Sequence, residues 1–252
     1  FDKYDAFTVG EVFNMKKEEL AEFVGENGHF STMFDFAPCC LSFHNGGWHK
    51  AEPIAFKTYR DTIFNTQREC RDIGFLANIL ENHDEPRGNS RYLPPYAQNE
   101  QGIKMLGTVS VLLRGLPFLY QGQEIGMTNW RPEDPEMYED VQTRWQYFNV
   151  GTKKSPEKRL QRLWHGSRDS ARTPVQWSNE ENAGFTTGKP WFYVNENYVD
   201  VNVAAQEENP DSVLNFYRKA IALRKELTCV KDGSYTEYGK CSSSLYTYSR
   251  ED

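Results

Sequence analysis

The chain has 252 residues, with 36 acidic and 29 basic side chains and a formal net charge of −7 at pH 7. Because a net acidic chain repels phosphate backbones, this balance makes nucleic acid a poor partner. No run approaches the ~18 apolar residues of a membrane span, so we expect no membrane partner either. The length can bury one sizeable core.

The chain has five cysteines, an odd number without metal-ligand spacing: Cys39, Cys40, Cys70, Cys229 and Cys241. There is no CxxC motif, so the adjacent Cys39 and Cys40 do not indicate a zinc pair. Free thiols in a reducing compartment are the favoured interpretation, and we expect a cytoplasmic protein. We expect no bound metal and no cofactor.

Taken in chain order, four short apolar runs each end in polar or acidic residues. They predict strands near residues 6–9, 31–35, 75–80 and 116–120. Runs this short and this apolar are typical of parallel strands that are buried on both faces. The polar residues at their ends could merely start loops. However, parallel sheets and barrels place their chemistry at the carboxyl ends of strands, and the pattern recurs in every run.

Helix-like stretches separate these runs. The spacing of apolar side chains predicts helices over 16–23, 53–71 and 100–114, and Gly115 is a stop signal for the last of them. Alternation of strand and helix is typical of a parallel sheet or barrel.

Residues 128–210 differ from the rest, because they are rich in Trp, Tyr, Asn, Arg, Glu and Pro and have weak periodicity. We interpret them as one long excursion from the fold, and loops of this size are usually functional lids or small subdomains. Asp211 then predicts the N-cap of an amphipathic helix that ends near Leu227. The alternating tail over 233–249 predicts the first strands of a separate β domain.

Two acidic segments carry candidate chemistry. Glu11 follows a buried run and a flexible glycine, which suits a proton donor. Residues 81–87 place three carboxylates and an arginine around His83. A solvated loop, a salt-bridged turn and a metal site are alternatives for this segment. On a neutral, polyhydroxylated substrate, His83 can donate hydrogen bonds and Asp84 can stabilise an oxocarbenium-like transition state.

Four motifs occur in an order that resembles glycoside hydrolase family 13, the α-amylase family. They are TVGEV (8–12), ENHDEPR (81–87), QGQEIGM (121–127) and RDSARTPVQW (168–177). The last motif, with AGF at 183–185, resembles the branch of oligo-1,6-glucosidases and α-glucosidases. The resemblance covers nearly the whole chain.

The resemblance implies an α/β fold, namely the second half of a (β/α)8 TIM barrel with strands five to eight. Barrel strands and helices would occupy 1–127, and a long excursion after strand eight would occupy 128–210. The last barrel helix would occupy 211–228, and the start of a C-terminal β-sandwich domain would occupy 229–252.

The resemblance also implies roles for individual residues. Glu11 matches the general acid/base after the fifth strand, and Asp84 matches the carboxylate that stabilises the transition state after the seventh. His83 matches a hydrogen-bond donor to sugar hydroxyls. Arg168 matches an arginine that holds the non-reducing end of the sugar, which favours removal of terminal glucose.

Other polar residues near these motifs have structural interpretations. For Arg172 we favour an ion-pair network with Asp169 and with Glu180 or Glu181. Residues 121–124 match the end of the eighth strand, where loop anchoring is as plausible as substrate contact.

The family's nucleophile is an Asp after the fourth strand, and only ten residues precede Glu11. Residue patterns alone would make Glu11 the acid and Asp84 the nucleophile. The resemblance implies instead that the nucleophile is the Asp after the fourth strand. We therefore expect a piece of a retaining α-glucosidase that acts on oligosaccharides. The piece alone should be inactive, and it should self-associate through exposed barrel edges. A sucrose isomerase or transglycosylase and a non-catalytic, sugar-binding relative are the alternatives.

Overall fold

A computed structural model describes residues 2–41 and 54–252 of the chain. The strands predicted in its first half are present: β1 (Val9–Gly10), β2 (Thr32–Met33), β3 (Ala77–Ile79) and β4 (Leu116–Phe118). β1 pairs with β2 and β3 pairs with β4, both in parallel. A parallel bridge between Phe34 and Ala77 joins the two pairs. The predicted parallel arrangement is confirmed, although the strands are shorter than predicted.

Helices connect these strands, as the alternating pattern predicted. The first five are α1 (Leu20–Phe23), α2 (Ala37–Cys40), α3 (Phe56–Glu69), α4 (Gly88–Tyr92) and α5 (Glu100–Leu112). The side chain of Asn99 caps α5 by accepting a hydrogen bond from the Gly102 N–H, 3.1 Å away. Residue 53, where we expected the long helix before β3 to begin, lies outside the described residues.

The turn from α5 into β4 requires a glycine. Gly115 has φ +131°, and a Cβ atom there would clash with the carbonyl oxygen of Leu76 and lie 2.6 Å from the side-chain oxygen of Asn78. Only a residue without a side chain allows β4 to approach β3 this closely.

The segment after β4 contains more regular structure than its weak periodicity predicted. It contains α6 (Val141–Asn149), α7 (Pro156–Gly166), α8 (Asp169–Arg172) and α9 (Val203–Glu207). α10 (Val213–Glu226) follows and packs on α5 through a buried cluster that includes Val111, Val213 and Tyr217.

The N-cap of α10 is Ser212, so the prediction of Asp211 is wrong by one residue. The Ser212 hydroxyl accepts a hydrogen bond from the Asn215 N–H at 3.1 Å. Asp211 instead donates its own N–H to the side chain of Asn209, which places it in the preceding turn. Both residue types suit an N-cap, and only the turn geometry distinguishes them.

After α10, the short helix α11 (Thr228–Lys231) leads into an antiparallel hairpin of β5 (Ser234–Tyr238) and β6 (Thr247–Glu251). The hairpin and its connecting loop pack on α3 through Tyr235, Tyr246 and Tyr248. Across residues 2–41 and 54–252, no helix is long and apolar enough to cross a membrane.

Candidate active site

A buried ion pair organises the loop that follows β3. The Arg87 side chain is 0% exposed, and its Nη1 lies 3.1 Å from Oε2 of the equally buried Glu81. The same Nη1 donates to the carbonyl oxygen of Gln121 at 2.7 Å, and the Gly88 N–H donates to Oε1 of Glu81 at 2.7 Å. Arg87 also stacks over the Tyr120 ring. The loop after β3 is therefore fixed to the loop after β4.

Asp84 lies in this loop and is the centre of a charged cluster. Its Oδ1 accepts hydrogen bonds from Nη1 of Arg168 and Nη2 of Arg172, both at 2.8 Å. Its Oδ2 lies 3.3 Å from Nε2 of His83. Two guanidinium groups and an imidazole thus hold one half-exposed carboxylate at the carboxyl end of β3.

Arg172 lies in an ion-pair network, as predicted, but its ion-pair partner is Asp84 in place of Glu180 or Glu181. Burial raises the pKa of Asp169, and the charge of Arg172 is one of the effects that oppose this shift. Arg172 donates from Nη2 to Asp84 and from Nε to the carbonyl oxygen of His83, 2.9 Å away. The one-turn helix α8 presents Arg168 and Arg172, four positions apart, on the same face. Both arginines therefore reach a loop more than eighty residues earlier in the chain.

Arg168 joins Asp84 to a second carboxylate. Its Nε and Nη2 lie 2.8 and 2.7 Å from Oδ1 of Asp140, whose side chain is 3% exposed. Asp140 also caps α6, because its Oδ2 accepts from the N–H and hydroxyl of Thr143. Burial alone raises the pKa of Asp140, but hydrogen bonds from Thr143 and Arg168 hold it below its usual value.

Glu11 lies at the carboxyl end of β1, and its side chain is exposed. Phe13, two residues on, stacks on Phe36 with ring centroids 4.6 Å apart. Within the described residues, no hydrogen bond or ion pair joins Glu11 to Asp84 or Arg168. The structure thus brings His83, Asp84 and Arg168 together and leaves Glu11 at a neighbouring strand end.

One buried and one partly buried carboxyl group lie close to these strand ends. Burial raises the pKa of Asp35, just after β2, to about 6, although a hydrogen bond from Thr66 opposes the shift. Burial raises the pKa of Glu85 to about 7, although its ion partner Arg91 opposes the shift. Burial removes water from both carboxyl groups, and the hydrogen bonds and charges of their partners only partly compensate for this loss.

The loop after β4 has anchoring contacts. Gln121 accepts a hydrogen bond from Arg87, and Oε2 of Glu124 accepts one from the Gly122 N–H at 2.8 Å. The side chain of Gln123 donates to the hydroxyl of Tyr217 at 3.1 Å. These hydrogen bonds agree with the interpretation that residues 121–124 anchor the loop.

A cavity of about 590 Å³ opens beside Arg168. It lies between the start of α6, the helix α8 and the segment around Trp191, and its wall includes Trp145 and Trp191. These two aromatic side chains are 56% and 86% exposed. The sequence analysis predicted no role for either tryptophan, and a signal that could have pointed to them is the abundance of tryptophan in residues 128–210.

The cluster can bind a polyhydroxylated molecule and stabilise positive charge next to Asp84. Arginine forks suit vicinal hydroxyls, and an oriented carboxylate suits a developing cation. Across the described ranges, no group of three or more His, Cys, Asp or Glu side chains is placed to hold a metal ion. The thiols of Cys40, Cys70, Cys229 and Cys241 form no disulfide.

Comparison with known proteins places this arrangement in a family. The profile of the α-amylase catalytic domain matches residues 1–233. The chain therefore belongs to the α-amylase family. Its parallel strands agree with the TIM-barrel fold class.

The relatives include several enzymes of sugar metabolism. An oligo-1,6-glucosidase of Bacillus cereus is 36% identical over 98% of this chain and 45% of its own length. The structure of a trehalose-6-phosphate hydrolase variant of Bacillus licheniformis superimposes with a TM-score of 0.93 and 34% identity, over 100% of this chain and 46% of that one.

An isomaltulose synthase of Protaminobacter rubrum superimposes with a TM-score of 0.91 and 34% identity, over 99% of this chain and 46% of its own. A trehalulose synthase variant was crystallised with its substrate sucrose and has a TM-score of 0.91. The chain thus spans somewhat less than half the length of the relatives that it matches.

Proposed function

We propose that the complete protein is a retaining α-glucosidase that releases glucose from the ends of α-linked oligosaccharides. The observation that carries this proposal is the Asp84 carboxylate, oriented by Arg168 and Arg172 with His83 beside it. A carboxylate held in this way stabilises positive charge that develops at the anomeric carbon only in the transition state.

In this proposal, Glu11 is the general acid that protonates the leaving oxygen, and it then takes a proton from the water that completes the reaction. His83 donates a hydrogen bond to a sugar hydroxyl, and Arg168 binds the non-reducing end. The nucleophile, an Asp, lies in the portion of the family's sequence that these residues do not cover.

The placement of Glu11 and Asp84 after different parallel strands supports this division of roles. Both strands end at the same edge of the sheet, because β1 to β4 are all parallel. Substrate bound at that edge can meet an acid on one loop and a charge-stabilising group on another. We also propose a cytoplasmic location, since an odd number of cysteines without a paired spacing suits a reducing compartment.

The test uses the complete protein and an α-linked glucose disaccharide, whose leaving oxygen must take up a proton. Glu11→Gln removes the proton donor and Asp84→Asn removes the stabilising charge, so each is expected to lower kcat about 10²–10⁴-fold. Glu18→Gln, at an exposed carboxylate without an ion pair in the described chain, is the matched control and should leave kcat unchanged. Full activity in the Glu11→Gln variant would contradict the assignment.

A second candidate is isomerisation of sucrose, favoured by the superposition on a trehalulose synthase variant crystallised with its substrate sucrose. It uses the same acid and the same stabilising carboxylate and differs in excluding water from the intermediate. Sucrose incubated with the complete protein separates the candidates: glucose and fructose in equal amounts indicate hydrolysis. A rearranged disaccharide indicates isomerisation.

A further inference from the structure

We propose that Arg91 is a positioning residue that sets the separation between the loop of Asp84 and the loop of Glu11. The inference rests on the proposed function, because it concerns how the proton donor and the charge-stabilising carboxylate of that reaction are held relative to each other. Arg91 itself need not touch the substrate.

Two arginines hold the loop after β3 from opposite sides. The helix α4 begins directly after Arg87 and carries Arg91 in its last turn. Each arginine pairs with a glutamate six positions earlier, Arg87 with Glu81 and Arg91 with Glu85. Arg87 also donates to the carbonyl oxygen of Gln121, which ties the loop to the segment after β4.

Arg91 makes the corresponding connection to the segment after β2. Its Nη1 lies 2.5 Å from Oε2 of Glu85, and its Nη2 donates to the carbonyl oxygen of Cys39. Cys39 lies in the last turn of α2, where a helix leaves carbonyl groups without intrahelical partners. The hydroxyl of Tyr92 also donates to the Cys39 sulfur at 3.4 Å. The Arg91 guanidinium therefore joins the residue next to Asp84 to α2.

The other end of α2 contacts the loop of Glu11. Phe36 is the buried N-cap residue of α2, and it stacks on Phe13 with ring planes 11° apart. Phe13 follows Glu11 by two residues. These side-chain contacts form a route from Asp84 through Arg91 and α2 to Glu11, in addition to the route through the paired strands.

The charges of this loop are balanced one by one. Arg168 and Arg172 hold Asp84, and Arg91 holds Glu85. Burial raises the pKa of Glu85, the charge of Asp84 raises it further, and Arg91 opposes both effects. Arg91 can therefore fix the loop without drawing on the cations that orient Asp84.

The separation of the two loops matters for proton transfer. A general acid must lie within hydrogen-bond reach of the leaving oxygen, and a displacement of about 1 Å can cost roughly 10²-fold in rate. Without the Arg91 bridge, Asp84 still has its two arginines and the anchor at Arg87. The expected defect is therefore in proton donation by Glu11, and substrate binding should change little.

The kinetic test uses Arg91→Lys in the complete protein. Lysine keeps the positive charge beside Glu85 but lacks the planar fork that reaches Glu85 and Cys39 together. With an α-linked glucose disaccharide, kcat should fall about 10–10²-fold while KM stays within about twofold. With 4-nitrophenyl α-glucoside, whose leaving group departs without a proton, kcat should fall by less than about threefold.

Three further variants complete this comparison. Arg218→Lys is the matched control, because Arg218 forms an exposed ion pair with Glu207, and it should leave both kcat values unchanged. Glu85→Gln still offers an acceptor to Arg91, so it should keep the ratio of the two kcat values near that of the wild type. Glu85→Ala removes the acceptor and should reproduce the effect of Arg91→Lys. If Arg91→Lys does not fold, the comparison of Glu85→Gln with Glu85→Ala decides.

A double variant separates this inference from the proposed function. Once Glu11→Gln has removed the acid, adding Arg91→Lys should lower kcat for the disaccharide no further, because the two changes act on the same step. Full activity of Glu11→Gln alone would contradict the proposed function. Low activity of Glu11→Gln with a further full loss in the double variant would contradict only the positioning role.

Two results with Arg91→Lys would overturn the inference. One is an equal fall in kcat for the disaccharide and for 4-nitrophenyl α-glucoside, since a displaced acid affects only the first strongly. The other is a lower Tm with unchanged kcat for both substrates, which would mean that Arg91 stabilises the fold without positioning Glu11.

Discussion

The loop after β3 and the loop after β1 carry the two carboxylates of the proposed reaction, but they are held very differently. Asp84 lies in a loop fixed by a buried ion pair, and three side chains contact its two oxygens. Glu11 lies in an exposed loop whose neighbour Phe13 stacks on Phe36. The described residues preorganise the charge-stabilising group much more than the proton donor.

The difference has a chemical interpretation. A group that stabilises transition-state charge works best when it is already oriented, because reorganisation during the reaction would cost free energy. A general acid must exchange a proton with the leaving group and then with water, so contact with solvent suits it. Substitutions in each of the two loops test this contrast.

The largest effect is expected at the anchor of the β3 loop. Arg87→Met leaves Glu81 as an unpaired buried charge, so the free energy of unfolding should fall by about 3–5 kcal/mol. Urea denaturation of the complete protein measures it. Arg71→Met, at an exposed arginine, is the control and should change stability by less than about 0.5 kcal/mol.

The double variant Glu81→Gln with Arg87→Met sharpens the interpretation. It removes both charges, so it should be more stable than Arg87→Met alone. If the two variants are equally unstable, packing and the bond to Gln121 hold the loop, and the ion pair does not.

A smaller effect, dependent on pH, is expected at Asp35, which lies just after β2. Its pKa is raised to about 6 from the usual 3.8, so the folded state favours the protonated form. The resulting stability is fully present below about pH 4 and is lost as pH rises through about 6. One pKa unit corresponds to about 1.4 kcal/mol, so the loss should approach roughly 3 kcal/mol.

Asp35→Asn tests this directly, because an amide does not titrate but can still accept the hydrogen bond from Thr66. Unfolding free energies of both proteins are measured from pH 4 to pH 7. The variant should gain stability relative to the wild type as pH rises. Parallel curves over this range would show that burial of Asp35 does not favour its protonated form.

Much of the fold could be predicted from the sequence. The runs before Glu11 and Asp84 are short and apolar, a pattern typical of buried parallel strands, and β3 lies within the second run. β1 begins only at Val9, the last residue of the first run, and the residues before it are not buried. The N-cap of α10 was missed because Asp211 and Ser212 are equally suitable by residue type. Turn geometry decided between them.

The site was predictable only in part. His83 and Asp84 are adjacent in a distinctive motif, whereas the partner of Arg172 depends on a contact across 88 positions, which no local pattern encodes. The cavity between Trp145 and Trp191 was missed for the same reason, because its walls come from separate helices and loops.

The smallest effect is expected in the loop that carries Glu11. Phe13 is 55% exposed and stacks on Phe36 with nearly parallel rings, 11° apart. Because half of its surface already faces water, Phe13→Ala should lower the free energy of unfolding by only about 1 kcal/mol, the value of one such aromatic pair. The same urea titration measures it beside Arg87→Met. A loss above about 3 kcal/mol would mean that this loop is anchored as firmly as the loop after β3, and the contrast between the two carboxylates would then disappear.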